Sequence, residues 1–147
     1  MWRTLEFYVS RAHRYAGQPL LSALLGTFAA RLGDRVRSLE LFEQGHGQFI
    51  IDPYTITLEY SPSVFPDHPR AGPFTGNLGG LLTSCLYGLT GLHLINGNPS
   101  TWFQRTIALP DGWNAVHSGR VWVRGRPMAP QVGHGDPRGQ LNDGDEE

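Results

Sequence analysis

Phe74-Thr75-Gly76-Asn77-Leu78-Gly79-Gly80-Leu81-Leu82 opens the stretch whose reading decides the fold. Leu78, Leu81, Leu82, Cys85, Leu86 and Leu89 recur at three- and four-residue steps, so the spacing predicts a helix with one apolar side. Gly76, Gly80, Ser84 and Gly88 lie four apart on another side, a small ridge that lets a neighbouring helix approach closely. Fifteen residues before Phe74, Glu59 falls in an alternating segment. There Tyr54, Ile56, Leu58 and Tyr60 alternate with Thr55, Thr57 and Glu59, the pattern of a half-buried extended strand. A carboxylate on a polar strand face just ahead of a closely packed helix suits acid/base chemistry. Between the two, Ser61–Pro73 carries four prolines and reads as a long shaped loop.

Upstream the chain reads as helices. Leu5, Tyr8, Ala12 and Tyr15 form one apolar stripe, which Gly17 breaks. Pro19 suits the first turn of a second helix, where its missing N–H costs nothing. On that helix Leu21, Leu24, Leu25, Phe28 and Leu32 share one face, while Ala23, Gly26 and Ala30 keep another thin. Gly33 is placed to end it in the left-handed conformation, and Asp34 to cap a third helix striped by Val36, Leu39 and Phe42. These apolar faces need partners. After Gly91 the period changes again. Gln104–Leu109 and Gly119–Met128 are strand candidates around the turn Pro110-Asp111-Gly112. From Pro130 onward glycine, proline and acidic residues dominate, ending in Asp143-Gly144-Asp145-Glu146-Glu147, which reads as a disordered, solvating tail. The expected organisation is a helical segment at 1–92, a small β-sheet domain at 93–128 and a tail at 129–147.

Composition narrows the chemistry. At 147 residues the chain buries one core, and its charged fraction is only 17%. A formal net charge of −1 argues against bulk attraction to nucleic acid or an anionic membrane surface. All twelve basic residues are arginine, which excludes a lysine Schiff base and the lysine of a phosphate-binding P-loop. Cys85 is the single cysteine, so no disulfide forms within the chain, and its apolar neighbours mark it as a small core residue. The six histidines show no ligand spacing, and neither a metal nor another cofactor is expected. No run reaches membrane-span length and Met1–Ser10 has no secretory apolar region, so the expectation is a cytoplasmic protein.

Two segments resemble a known family. Leu21-Ser22-Ala23-Leu24-Leu25-Gly26-Thr27-Phe28-Ala29-Ala30-Arg31-Leu32-Gly33-Asp34 and Thr75-Gly76-Asn77-Leu78-Gly79-Gly80, continuing to Tyr87-Gly88-Leu89-Thr90-Gly91-Leu92, resemble the end of the catalytic domain in glycoside hydrolase family 65. The stretch Ile107–Pro127, with Leu109-Pro110 and Arg120-Val121-Trp122-Val123-Arg124-Gly125, is similar to the start of that family's small β domain. The family includes trehalose and glucosyl-hydroxylysine hydrolases and several disaccharide phosphorylases, on an (α/α)6 barrel. The resemblance covers roughly residues 1–128 and rests on helix-packing motifs more than on catalytic ones. It implies that Glu59, which precedes the Thr-Gly-x-Gly-Gly-type helix start, is the general base, and that Thr75 and Asn77 orient water or a sugar hydroxyl. Gly72–Gly80 offers Thr75 but no histidine or lysine for a phosphate, which tilts the reading toward hydrolysis. Inverting enzymes hold acid and base roughly 6.5–9.5 Å apart around a water. The family's general acid lies upstream of the matched segment and has no counterpart here, so the implied protein is the C-terminal portion of an α-glucoside or disaccharide hydrolase, inactive alone.

Each feature also has a plainer reading. Glu59 is equally a solvated residue on a polar strand face, and Asp52 and Asp67, beside prolines, suit backbone capping in turns. Gly76–Gly80 at a helix start suits a phosphate cradle less well than close packing. Arg120, Trp122, Arg124 and Arg126 alternate as a basic, aromatic ribbon for nucleic acid or sugar would, but arginines also cover an exposed tryptophan by stacking. Trp102 and Trp113 are sugar-platform candidates that a sheet closing over helices would bury. The fold expected is α+β, the last helices of an incomplete α/α barrel followed by a small antiparallel sheet. The alternative to a hydrolase portion is a non-catalytic piece that associates with a partner, or with further copies of itself, through exposed apolar helix faces.

Overall fold

The computed structural model describes residues 1–11, 19–51, 56–95 and 97–144, with backbone only for residues 19–21 and 56. It is α+β. Helices α1 (Trp2–Val9), α2 (Pro19–Arg31) and α3 (Arg35–His46) are followed by a 3-10 turn (Gly47–Phe49) and a two-stranded ribbon, β1 (Ile50–Ile51) with β2 (Ile56–Thr57). Helix α4 (Thr75–Thr83) continues into a wider π turn (Ser84–Gly88), and four strands close the fold: β3 (Ala115–His117), β4 (Val121–Val123), β5 (Arg126–Gly133) and β6 (Gln140–Asp143).

Helix punctuation follows the sequence. α2 begins at Pro19 and ends at Gly33, whose φ is +90°. The Gly33 N–H donates to Ala30 O (2.9 Å) and the Asp34 N–H to Ala29 O (3.1 Å), the paired bonds of a Schellman cap. Asp34 then caps α3, accepting from the Arg37 N–H at 3.0 Å.

α2 packs on two sides. Its thin face buries Ala23, Gly26, Ala29 and Ala30, and its leucine face is split, with Leu25 buried beside Leu5 and Leu41 while Phe28 is 43% exposed. The reason lies in α3 and α4. A Cβ on Gly26 would sit 2.7 Å from Ser38 O, and one on Gly45 only 2.5 Å from Ser22 O, so α2 and α3 meet backbone to backbone. The Ser38 hydroxyl donates to Gly26 O at 2.8 Å across that seam. α3 therefore buries Ser38, Leu41, Phe42, Gly45 and His46, and the expected stripe shifts away from Val36, which is exposed. On the other flank the ridge of α4 meets α2 as its spacing predicts. Gly80 faces Ala23, Gly88 faces Thr27, and the Ser84 hydroxyl donates to Ala23 O at 3.1 Å. The stripe expected on α1 is described only as far as residue 11, with Leu5 buried and Tyr8 exposed.

The segment 104–109 is not a strand. It runs extended beside 89–92, with the Ala108 N–H donating to Leu89 O (2.8 Å) and the Arg105 N–H to Gly91 O (3.3 Å). Arg31 and Arg35, at the α2–α3 corner, donate to its carbonyls at Thr106 and Ile107. Its Ile107, Ala108 and Leu109 join Ala30, Leu89, Leu92, Phe103 and Val132 in a core that ties helices to sheet, and Trp102 and Trp113 pack half-buried against it.

The second strand candidate, 119–128, is a hairpin. Val121 pairs with Met128 and Val123 with Arg126, across a two-residue turn in which Arg124 (φ 51°) and Gly125 (φ 78°) both take positive φ. That is the type I′ geometry favoured by strand twist. The face on which Arg120, Trp122, Arg124 and Arg126 were expected to align is thus interrupted by the turn. Strand β5 is central, with β3 and β4 along one side and β6 on the other. The tail expected from 129 is corrected by β5 and β6, which carry order to residue 143. Val132 is buried and Leu141 packs on the core, which anchors this stretch despite its composition. Pro127 and Pro130 still serve the sheet through their carbonyls, accepting from the Gly144 and Ser118 N–H groups at 3.0 Å each. Residues 145–147 lie outside the described residues.

Candidate functional site

Glu59 is placed by backbone pairing on both sides. Thr57 and Leu58 are buried, and the Leu58 N–H donates to Phe49 O at 2.9 Å, fixing this segment against the end of α3. The Glu59 N–H donates to Ala71 O and the Phe74 N–H to Thr57 O, each at 2.8 Å. The chain leaving β2 and the chain approaching α4 therefore run side by side, and the loop between them returns to its own start. Gly72 is required at this contact, since a Cβ there would lie 2.9 Å from Thr57 O. The Glu59 side chain is half-buried, and Thr75, the first residue of α4, is exposed. Of the alternating segment, residues 52–55, including Asp52, lie outside the described residues.

The loop has its own order. Ser61 is fully buried, its hydroxyl 2.8 Å from that of Ser63, and its carbonyl accepts from the Phe65 N–H at 2.9 Å. Tyr60, Phe65 and His68 form a ring cluster, with the His68 centroid 4.9 Å from each of the other two. Sequence reading did not find this cluster, because only the turn at Ser61 brings these rings together. Asp67 and His68 are exposed at its tip.

Asn77 is used inside the fold. It is fully buried, its amide N–H donates to Gly45 O at 2.8 Å, and its carbonyl lies 3.3 Å from His46 Nδ1. Since the amide donates to Gly45, the carbonyl accepts and His46 Nδ1 carries the proton. His46 Nε2 is buried and makes no hydrogen bond among the described residues. Burial pushes the His46 pKa below its ordinary value, against smaller opposing contributions from Asn77, the Ala23 backbone and Glu43. This His–Asn link locks α4 to α3 within the first turn of α4, two residues after Thr75. Burial likewise raises the Cys85 thiol pKa above its ordinary value, which disfavours the thiolate.

A separate cavity of about 1040 Å³ is lined by α1, α2, the π turn and residues 92–94, and by none of Glu59, Thr75 and Asn77. Its walls are mainly apolar, with Arg31 and Arg105 among its polar groups. Among the described residues no group of three or more His, Cys, Asp or Glu side chains is arranged to hold a metal ion. No described helix is long and apolar enough to cross a membrane. Compared with protein-family models, curated proteins and solved structures, the chain matches none.

Proposed function

We propose that this chain is the C-terminal portion of an inverting glycoside hydrolase acting on α-glucosides or disaccharides, inactive until joined by helices that supply the general acid. One observation carries the reading: the strand expected around Glu59 stops at Thr57, but the chain just past it, through Glu59, is hydrogen-bonded to the segment that leads into α4. That pairing sets half-buried Glu59 opposite Ala71, four residues before the helix start, the sequence relation on which the resemblance to family 65 rests. Glu59 takes a proton from water, the water oxygen attacks the anomeric carbon, and the glycosidic C–O bond breaks as the absent acid protonates the leaving oxygen. Thr75 offers its hydroxyl to the water or a sugar hydroxyl. Asn77 serves the site by holding α4 in place through Gly45 and His46. The rings of Tyr60, Phe65 and His68 support the reading, since aromatic faces suit sugar rings. The partner so implied is a carbohydrate, with no cofactor, nucleic acid or membrane.

Titration of the labelled chain with millimolar trehalose or maltose, followed by amide NMR, tests this. Shifts concentrated at 57–60, 65–68 and 71–77 are expected, and shifts absent or elsewhere would count against the reading. In the joined hydrolase, Glu59→Gln should lower turnover by at least about 10²-fold; turnover within a few-fold of the parent would retire the base assignment.

A second reading, a non-catalytic module that associates through its apolar helix face, is favoured by the 1040 Å³ cavity and its exposed rim. Sedimentation as a monomer that binds no hydrophobic dye would argue against it.

A further inference from the structure

The groove between α1, α2 and the π turn is apolar, yet it is not charge-neutral. Tyr8 (41%), Phe28 (43%), Tyr87 (38%) and Leu94 (53%) line it with large exposed surfaces, more than scattered surface hydrophobes would give. Arg31 and Arg105 also line it, and no aspartate or glutamate does among the described residues. Arg31 is held in a fixed orientation by the Thr106 carbonyl (2.5 Å) and the Tyr87 carbonyl (3.3 Å). A guanidinium has five N–H donors, so these bonds leave it able to pair with a carboxylate. Burial first, and the neighbouring Arg105 charge second, push the Arg31 pKa down, and a carboxylate at this point would offset the repulsion between the two guanidiniums.

We infer that this groove docks an amphipathic helix of a partner polypeptide, one that carries an acidic side chain opposite Arg31 and Arg105. The inference rests on the second reading above and gives it an occupant. The groove is at the upper limit of small-molecule sites, about 300–1,000 Å³, and it is bounded by helices, which suits a further helix laid along it. A second copy of this chain offers no free carboxylate on α1, where Glu6 is already paired with Arg37; docking through α3, which carries exposed Glu40 and Glu43, is told apart by the sedimentation arm of the test. An anionic membrane fits no better, since two arginines are few and the whole chain carries a net charge of −1.

The test is selection of a displayed library of amphipathic helices, apolar face constant and rim positions randomised, on the full chain. Enrichment of Asp or Glu at one rim register is expected, with Ala at that register weakening binding at least about fivefold. Reselection on Arg105→Glu, an exposed position, should replace the acid by Lys or Arg at the same register. Arg31→Met should abolish the acidic preference. Should that variant fold poorly by circular dichroism, the Arg105→Glu swap alone decides. Enriched helices without an acidic preference, or no enriched helices at all, would overturn the inference. A dimer in sedimentation that Leu94→Glu disrupts would overturn it too while upholding association, so the two failures are told apart.

Discussion

Alanine at Gly79 and alanine at Gly80 should move stability in opposite directions, although the two residues are neighbours on α4. Both sit in the helix interior, where Gly→Ala gains about 0.5–1 kcal/mol from backbone entropy. At Gly79 nothing lies within 4 Å of the added methyl, so that gain stands alone. At Gly80 the methyl would be 2.6 Å from the Ala23 Cβ, where ordinary contact begins at 3.4 Å. The shortfall is 3.4 − 2.6 = 0.8 Å, and Ala23 has no rotamer with which to yield. α4 must therefore back away from α2, straining the Ser84–Ala23 bond and the Gly88–Thr27 contact. Overpacking of this kind costs about 1–3 kcal/mol, which leaves Gly80→Ala destabilised by up to about 2.5 kcal/mol after the helix gain. The helix gain is common to both variants, so they should differ by the overpacking cost alone, about 1–3 kcal/mol, or roughly 3–9 °C in Tm for a chain of this size. Thermal and urea unfolding followed by circular dichroism and tryptophan fluorescence would measure it. Shifts in the same direction, or stabilisation by Gly80→Ala, would refute the close α2–α4 seam.

Protonation of buried His46 should destabilise the fold. Its folded pKa lies below the ordinary 6.5, so its contribution is intact above about pH 6.5 and is lost as pH falls through the folded value. The urea midpoint should drop between about pH 7.5 and about pH 5.5, and less so in His46→Gln; equal slopes in both proteins would exclude His46 as the source. Asp34→Ala, which removes the α3 cap, should cost about 1 kcal/mol by urea titration, and an unchanged midpoint would discount the bond to Arg37 N–H. Arg124→Asn should stabilise by about 0.5–1 kcal/mol, because asparagine tolerates the positive φ of the hairpin turn better than arginine; a lower Tm would argue against that turn.

What the sequence made legible is what neighbouring residues decide. Pro19, Gly33 and Asp34 mark helix limits through backbone geometry alone, and the four-residue rhythm of Gly80, Ser84 and Gly88 needed only one partner helix to acquire meaning. That the thin face of α2 is buried as well as Leu25 was not legible, since hydrophobicity points to the leucines while the close α2–α3 contact is Ser38 with Gly26, twelve residues apart. The hairpin at Arg124-Gly125 was hidden because arginine is not a turn signal. β5 and β6 were hidden because two anchors, Val132 and Leu141, outweigh a run of glycine, proline and charge. At the candidate site Glu59 stood out by its place before a glycine-rich helix, but Asn77 acquires its role from Gly45 and His46, thirty-two and thirty-one residues away.

These long-range contacts also join the two ends of the proposal. α2 gives its small face to α3 and α4 and turns Leu24 and Phe28 toward the open groove. A helix docked in that groove would press on α2, and α2 holds α4 through Ala23 and Thr27. α4 in turn begins at Thr75, directly after the residue bonded to Thr57, which lies two residues before Glu59. A partner that binds only the folded chain adds its binding free energy to stability, so a helix docked in the groove should protect the α2–α4 seam and, through it, the backbone pairing around Glu59 from opening.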